Sequence, residues 1–336
     1  MKVKAFTKHI LGIQYNDEKY DLARRCFRKI RDRQRLRNGV FPASFILETC
    51  TYCNALCDYC RRTKMVADGQ LKPSIMPMNF YGTVINELAK LDKPRTLSFV
   101  GLGDWLLDPY IHERLKMAHS RLEGWTFSTI TNGIGLTKHV QKELVGSLDS
   151  IVISLNIFDR ELYSKYNGVD KFDLVVEQTK AFLALKGNSK PSVKIQLLLT
   201  DKMKPLAKTF VDYWKPFLNK NDEVILHGFL KSAAGDSGTT KYVQKPKQPR
   251  FHPCFLPWEL CIIAGNGDVY PCCLGEVSPS LKVGNISEGI VNLLGSEVVA
   301  KFREAQLSGD TPFICRSCDF WVEQPNPWFH ILGKWR

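Results

Sequence analysis

From Phe45 onward, short apolar runs alternate with amphipathic ones, and that alternation limits the fold more than any other feature of the chain. Segments 45–50, 96–101, 126–131, 151–156, 193–200 and 224–230 are rich in Ile, Val, Leu, Phe and Thr and are bounded by turn residues, as strands are. Between them, segments 80–91, 110–121, 138–146, 171–186 and 205–217 carry helical periodicity. Strands separated by helices pair in parallel, because each helix carries the chain back to the starting edge. The expected fold class is therefore α/β with a parallel sheet. Such sheets gather their chemistry at the C-terminal ends of the strands.

Composition narrows the class of protein. An apolar content of 44% with 24% charged residues belongs to a folded globular chain and excludes global disorder. No apolar run approaches the roughly 18 residues that a membrane span needs, so no membrane partner is expected. The opening MKVKAFTKHILGIQ lacks a signal peptide's apolar stretch and small-residue cleavage site, and the chain reads as cytoplasmic. In a reducing compartment, eleven cysteines that mostly cluster point to metal ligands rather than disulfides.

The net charge of +13 invites a nucleic-acid reading, but +8 of it lies in residues 1–40. There Arg24, Arg25, Arg28, Lys29, Arg31, Arg33, Arg35 and Arg37 form a basic helix with Ala23, Phe27 and Ile30 on its apolar side. Two readings stand: a solvated face packed on the main body, or an arm for a phosphate-bearing substrate or RNA. The expected organisation is a basic helical extension (1–40), an α/β domain (41–232), a Gly-, Ser-, Lys- and Pro-rich linker (233–253), a Cys-rich domain (254–320) and an aromatic, basic tail (321–336).

The segment that ends the first strand and follows it is LETCTYCNALCDYC, in which Cys53, Cys57 and Cys60 are spaced C-x3-C-x2-C and Cys50 lies three residues earlier, at the strand end. Soft thiolates on a short loop suit an iron–sulfur cluster or zinc. Zinc would need Cys50 as a fourth ligand, and zinc ribbons separate their cysteine pairs by about a dozen residues or more. Here three residues separate them.

That loop, at the end of the first strand of a βα series, resembles the radical SAM superfamily. The resemblance covers about residues 45–230 and implies a partial (βα)6 TIM-like barrel. It implies that Cys53, Cys57 and Cys60 hold three irons of a [4Fe–4S] cluster whose fourth iron takes S-adenosylmethionine. Tyr59 matches the aromatic position near the adenine. Gly101, Gly103 and Asp104 stand where the family has Gly-Gly-Glu, whose backbone meets the methionine amino group, with Asp here for Glu. Thr131 and Asn132, followed by Gly133, match the end of the third strand. Ser154 matches a position that bonds the ribose or methionine carboxylate, with Asn156 facing cofactor or substrate. His227 and Lys231 are further candidates for holding substrate.

The second cluster reads Cys254, twelve residues, Gly267, four residues, Cys272, and then Cys315 and Cys318 in a C-x2-C pair. GNGDVYPCC in its middle reads as a hairpin. The arrangement resembles the auxiliary-cluster extensions called SPASM and twitch, in the form with a single cluster. It implies Cys254, Cys272, Cys315 and Cys318 as the four ligands of an auxiliary [4Fe–4S] cluster. A structural zinc is the other reading of four such thiolates. Two further cysteines, Cys261 and Cys273, are candidate hydrogen donors to a substrate radical.

Taken with the resemblance, the expected activity is reductive cleavage of S-adenosylmethionine and hydrogen abstraction from a polar or anionic small molecule, sugar- or cyclitol-like. Net dehydrogenation or epimerisation would follow, with an electron donor such as flavodoxin or ferredoxin. The alternatives are a peptide-modifying maturase or epimerase, an RNA-modifying enzyme, and a non-enzymatic zinc scaffold.

Overall fold

The computed structural model describes residues 41–228, 254, 256–275 and 278–318. The expected basic helix of 1–40, the expected linker 233–253, Lys231 and the expected tail 321–336 lie outside these residues. Six strands come first: β1 (Ser44–Leu47), β2 (Thr96–Phe99), β3 (Thr126–Thr131), β4 (Ser150–Asn156), β5 (Ser192–Leu199) and β6 (Glu223–Gly228). Each pairs in parallel with the next. All four residues of β1 and of β2 are buried, which is why these strands read as continuous apolar runs rather than alternating ones. Where polar residues do enter, they pair across strands: Ser98 Oγ and Ser128 Oγ lie 2.6 Å apart.

The connections are helical. α1 (Arg61–Ala67) and α2 (Met78–Leu88) follow β1, and α3 (Ile111–Arg121) and α4 (Lys138–Leu144) follow β2 and β3. α5 (Arg160–Asn167) and α6 (Phe172–Lys186) follow β4, and α7 (Ala207–Trp214) follows β5. α2 buries Tyr81, Val84, Ile85 and Leu88, a single stripe at helical spacing that packs onto the sheet. The core lies between sheet and helices, with Phe45, Leu97, Phe127, Ile153, Val193 and Trp214 among its members.

Several expected bounds move. The first strand stops at Leu47 rather than residue 50, which frees residues 48–52 to form the rim of the site. The long helix expected over 205–217 is broken into α7 and two flanking 3-10 turns, because Pro205 and Pro216 lack the amide that a continuous helix needs. α1 and α5 were not expected. They are short and mostly polar outside, so their apolar periodicity is faint.

The Cys-rich region does not fold on a sheet of its own. α8 (Leu256–Glu259) leads into β7 (Leu260–Ile263), which pairs in parallel with β1 along its whole length. β8 (Asp268–Tyr270) returns as the expected hairpin, and β9 (Gly284–Asn285) adds to it. One nine-stranded sheet results, ordered β6-β5-β4-β3-β2-β1-β7-β8-β9. α9 (Ile290–Leu294), α10 (Glu297–Ser308) and α11 (Phe313–Ser317) complete the region. Ile46 of β1 joins Leu260, Ile262 and Leu281 in a second, smaller core. No helix among the described residues is long and apolar enough to cross a membrane.

Candidate functional site

Beyond β1 the chain does not turn away at once. Met76 N–H donates to Thr49 O and Thr51 N–H to Ser74 O, so residues 49–51 pair with 74–76. Cys50 is sealed within this pairing, 3% exposed, with its Sγ 3.8 Å from Tyr52 O. Burial pushes its thiol up to about 12, and the charges that bear on it are those of Asp108, Asp104 and Glu48 rather than other cysteines. Cys50 is therefore a packed residue, not a fourth member of the thiol group.

The loop of Cys53, Cys57 and Cys60 rests on two supports. The first is the end of β2. Asp104 N–H donates to Tyr52 O at 2.8 Å, and a Cβ on Gly103 would lie 2.4 Å from Cys50 O and 2.6 Å from Tyr52 O. Only glycine lets these two backbones touch. The second support is the C-terminus of α5, whose orphan carbonyls would otherwise need water. Leu56 N–H donates to Asn167 O and Asp58 N–H to Tyr166 O, each at 2.9 Å. Gly168, at φ 65°, ends the helix, and a Cβ there would lie 2.9 Å from Leu56 O.

The loop gathers its three thiols, all half-buried and free of disulfides. Burial, together with the neighbouring Cys60 and Cys53, raises the Cys57 thiol to about 12. Burial likewise raises Cys53, while Arg62, beneath the loop with its Nε 2.7 Å from Thr51 O, works the other way. Thiols held this way are weak thiolates alone and become strong ones against a bound cation. Among the described residues no three His, Cys, Asp or Glu side chains converge as ligands of one ion would. A cubane asks for a different arrangement, because each thiolate takes a different iron.

Polar side chains from the strand ends ring the loop. Asn167 Oδ1 accepts from Tyr59 Oη at 2.6 Å and from Cys57 Sγ at 3.3 Å. Asn156 also bonds the Tyr59 hydroxyl and accepts from Gln196 Nε2 at 2.9 Å. Its φ of 61° falls at the irregularity between Ser154 and Asn156, where β4 shifts register against β5. Asn132 Nδ2 donates to Asn54 Oδ1 at 2.9 Å and lies 3.6 Å from Cys53 Sγ. Asp104 accepts from Thr131 Oγ1, Asn132 N–H and Leu106 N–H. The Asp104 and Thr131 side chains are thus committed to each other, and what this pair offers a ligand is backbone and shape.

Gly103, Asp104, Thr131, Asn132 and Asn156 therefore ring the loop that carries Tyr59, while Gly101 packs against Glu48. Ser154 lies half-buried on β4, opposite Gln196. His227 is half-buried on β6, opposite Leu198. Four neighbours escaped sequence reasoning: Glu48, Arg62, Tyr163 and Asn167. Asp159 as an N-cap, with its side chain accepting from Leu162 N–H at 2.8 Å, and Gly168 as a terminator were the signal that could have revealed α5 and its last residue. Glu48 carried no such signal. It is a buried carboxylate, raised by burial and lowered by the amides of Leu102, Gly265 and Gly103 and by Arg62.

The second cysteine group lines a partly open cavity of about 30 Å³, bounded by Cys254, Cys272, Cys273, Cys315 and Cys318. Leu256, Leu274, Leu281 and Phe302 form apolar walls. Burial holds the Cys272 thiol well above its ordinary range, reinforced by Cys273, Cys254 and Cys315. Gln306 Nε2 lies 3.7 Å from Cys315 Sγ. Burial lowers Arg61, which follows Cys60 in the chain, and the charges of Cys273 and Cys318 act on it the other way.

Cys261 corrects an expectation. It is 0% exposed on β7, opposite Phe45, within the large core. Burial pushes its thiol up to about 12. A thiol sealed under helices reaches no substrate, so Cys261 is a core residue. Cys273 is half-buried at the cavity.

Three gathered soft thiols beside strand-end carbonyls fit an iron–sulfur cluster with a bound nucleoside ligand. Comparisons with known proteins agree. Residues 47–202 match the family model of the radical SAM superfamily, and residues 254–319 match the SPASM model, an iron–sulfur cluster-binding domain. A search of curated protein sequences gives no match. Among solved structures, native anSMEcpe with bound AdoMet is similar at 15% identity and a TM-score of 0.64, over 82% of this chain and 88% of that one. BtrN in complex with AdoMet and 2-DOIA is similar at 18% identity and a TM-score of 0.51, over 80% and 89%. SuiB of Streptococcus suis bound to S-adenosylmethionine is similar at 14% identity and a TM-score of 0.53, over 95% and 80%. At these identities the likeness carries the fold, while the two matched models carry the cofactors: S-adenosylmethionine, a [4Fe–4S] cluster and auxiliary iron–sulfur chemistry. The three-thiol loop on a parallel sheet and the thiol-lined cavity beside it thus have one explanation, and the chain belongs to the radical SAM superfamily with a C-terminal SPASM domain.

Proposed function

We propose that this enzyme dehydrogenates a carbon of a polar small molecule, of the sugar or cyclitol kind. Cys53, Cys57 and Cys60 would hold the first cluster, and Cys254, Cys272, Cys315 and Cys318 the auxiliary one. A cluster held there would supply the electron for reductive cleavage of S-adenosylmethionine and hydrogen-atom abstraction from the substrate, and the auxiliary cluster would accept the second electron as the substrate loses a proton. The chain's own residues bind, orient and exclude water. The backbone at Gly101–Gly103 meets the methionine amino group, Tyr59 and Asn156 fix the wall nearest Cys57, and Ser154 faces the ribose or carboxylate. The packed strand-end rim keeps water from the reacting carbon.

The observation that carries dehydrogenation over epimerisation is the withdrawal of Cys261 into the core. An epimerase needs a thiol that returns hydrogen, and among Cys261 and Cys273 only Cys273 stands at a cavity. That half-buried thiol supports epimerisation as the second reading. Peptide substrates form a third, supported by the similar structures of anSMEcpe with the Kp18Cys peptide and SuiB with precursor peptide SuiA. An electron donor of the flavodoxin or ferredoxin kind completes the scheme.

The test is an anaerobic incubation with S-adenosylmethionine, reductant and deuterated sugars, cyclitols and peptides. Dehydrogenation gives deuterium in 5′-deoxyadenosine, a product two electrons more oxidised, and unchanged turnover in Cys273→Ala. Epimerisation gives solvent hydrogen in the product and no turnover in Cys273→Ala. Stimulation by peptides alone, or by RNA with steep salt dependence, overturns the small-molecule reading.

A further inference from the structure

Glu48 sits one residue beyond β1, 4% exposed, where the first strand's two neighbours both end in turns. Its backbone N–H continues the β1–β7 ladder, donating to Ile263 O at 3.0 Å. Its side chain crosses to the other neighbour: Oε1 accepts from Leu102 N–H at 2.5 Å. The fit is tight enough that a Cβ on Gly101 would lie 2.4 Å from Oε1. The turn after β7 closes over the same carboxylate. Gly267 N–H donates to Ala264 O at 2.8 Å, and a Cβ on Gly265 would lie 3.9 Å from Oε2 and 3.5 Å from Glu48 O.

The consequence follows from the planar trans peptide. When an N–H points one way, the carbonyl of the same peptide points the other. A carboxylate that draws in the Leu102 amide therefore turns the Gly101 carbonyl outward, away from Glu48. Among the described residues no hydrogen bond ends on the Gly101 or Leu102 carbonyl. An acceptor held open at a strand's C-terminal end is what a ligand ammonium group requires, and Glu48 supplies the hold from behind.

We infer that Glu48 is a positioning residue that fixes the backbone carbonyls after β2 for the ammonium group of S-adenosylmethionine and ties them, through Gly265, to the hairpin of the SPASM domain. This rests on the proposed placement of the cofactor at Gly101–Gly103. Cofactor binding and the auxiliary hairpin thereby share one carboxylate, and ordering either orders the other. Glu48 touches neither reacting atom nor cluster, so its effect falls on binding rather than on bond cleavage.

The first experiment compares wild type with Glu48→Gln and Glu48→Ala at matched iron content. It titrates S-adenosylmethionine against the electron paramagnetic resonance signal of the reduced cluster. Glutamine keeps one acceptor oxygen but aims its NH2 at backbone donors, and alanine leaves the amides unpaired. The half-saturating concentration should rise roughly tenfold in Glu48→Gln and further in Glu48→Ala, as loss of one or two charge-assisted hydrogen bonds predicts. The maximal rate of 5′-deoxyadenosine release should stay within about twofold, a KM–kcat split that general destabilisation would not give.

The second experiment needs no variant. Hydrogen exchange of the reconstituted wild type, with and without S-adenosylmethionine, should slow at 101–104 and at 264–267 together. Protection confined to 101–104, or a Glu48→Gln titration that overlays wild type, overturns the inference and leaves the function standing. A wild-type signal unchanged by S-adenosylmethionine overturns the functional reading, and this inference with it.

Discussion

Gly103 shows how little room the site leaves. A Cβ on it would run into the carbonyls of Cys50 and Tyr52, and both are backbone atoms that cannot swing aside. Gly103→Ala should shift the cysteine loop and cost about 1–3 kcal/mol, seen as lost 5′-deoxyadenosine formation and a lower thermal midpoint. Gly146 is the control. It has φ 78°, and a Cβ there would meet nothing within 4 Å, so Gly146→Ala adds only backbone strain and should keep activity. The thiols separate in the same way. Alanine at Cys53, Cys57 or Cys60 should abolish cleavage and remove about half of the iron, one of two four-iron clusters. Alanine at Cys50, sealed away from the trio, should leave both intact, as iron analysis and product assays will show. At this scale the cysteines were legible because their spacing is itself the signal. Glu48 was not, since a single acidic residue at a strand end looks like any other until its three amide neighbours arrive from distant loops. Cys261 misled because a sequence shows a thiol without showing which face of β7 carries it.

Elements hold these residues by their ends. The cysteine loop leans on the C-terminus of α5, and its entrance leans on a buried pair behind β2. Asp108 Oδ2 accepts from Thr49 Oγ1 at 2.6 Å and from Arg114 Nε at 2.8 Å, and both charged side chains are 0% exposed. Arg114→Ala strands a buried carboxylate under the loop and should cost about 3–5 kcal/mol. The exposed pair of Arg160 and Asp173 should give up about 1 kcal/mol or less when broken. Thermal midpoints of the two variants, followed by cluster absorbance, test the contrast. A drop in Arg114→Ala no larger than in Arg160→Ala would mean that the entrance is braced elsewhere. The strands were legible because burial on both faces leaves apolar runs. α1 and α5 were not, because a helix of seven or eight residues whose main burial is Arg62, or Tyr163 and Asn167, carries hardly any apolar period.

At the scale of the whole molecule, the sequence reads as a barrel, a linker and an appended cluster domain, whereas the sheet is continuous through both. No local pattern announces that Leu260–Ile263 will lie beside Ser44–Leu47, because pairing between segments so far apart is decided by which edges remain open. β1 is the strand that carries the cysteine loop, and it is also the strand that β7 covers. A chain ended at residue 228 would keep every residue of the radical SAM model, which stops at 202. It would nevertheless lose the partner on one side of β1, baring a row of backbone donors and acceptors beside the apolar Phe45 and Ile46. It would also lose the Gly265 amide from Glu48. That truncation should therefore aggregate on size-exclusion chromatography and fail to bind S-adenosylmethionine after reconstitution. Full-length Cys315→Ser/Cys318→Ser, which disturbs only two of the proposed auxiliary ligands, should remain dispersed and still cleave S-adenosylmethionine. A dispersed, S-adenosylmethionine-binding truncation would show instead that the barrel stands alone and that the shared sheet is incidental to the site.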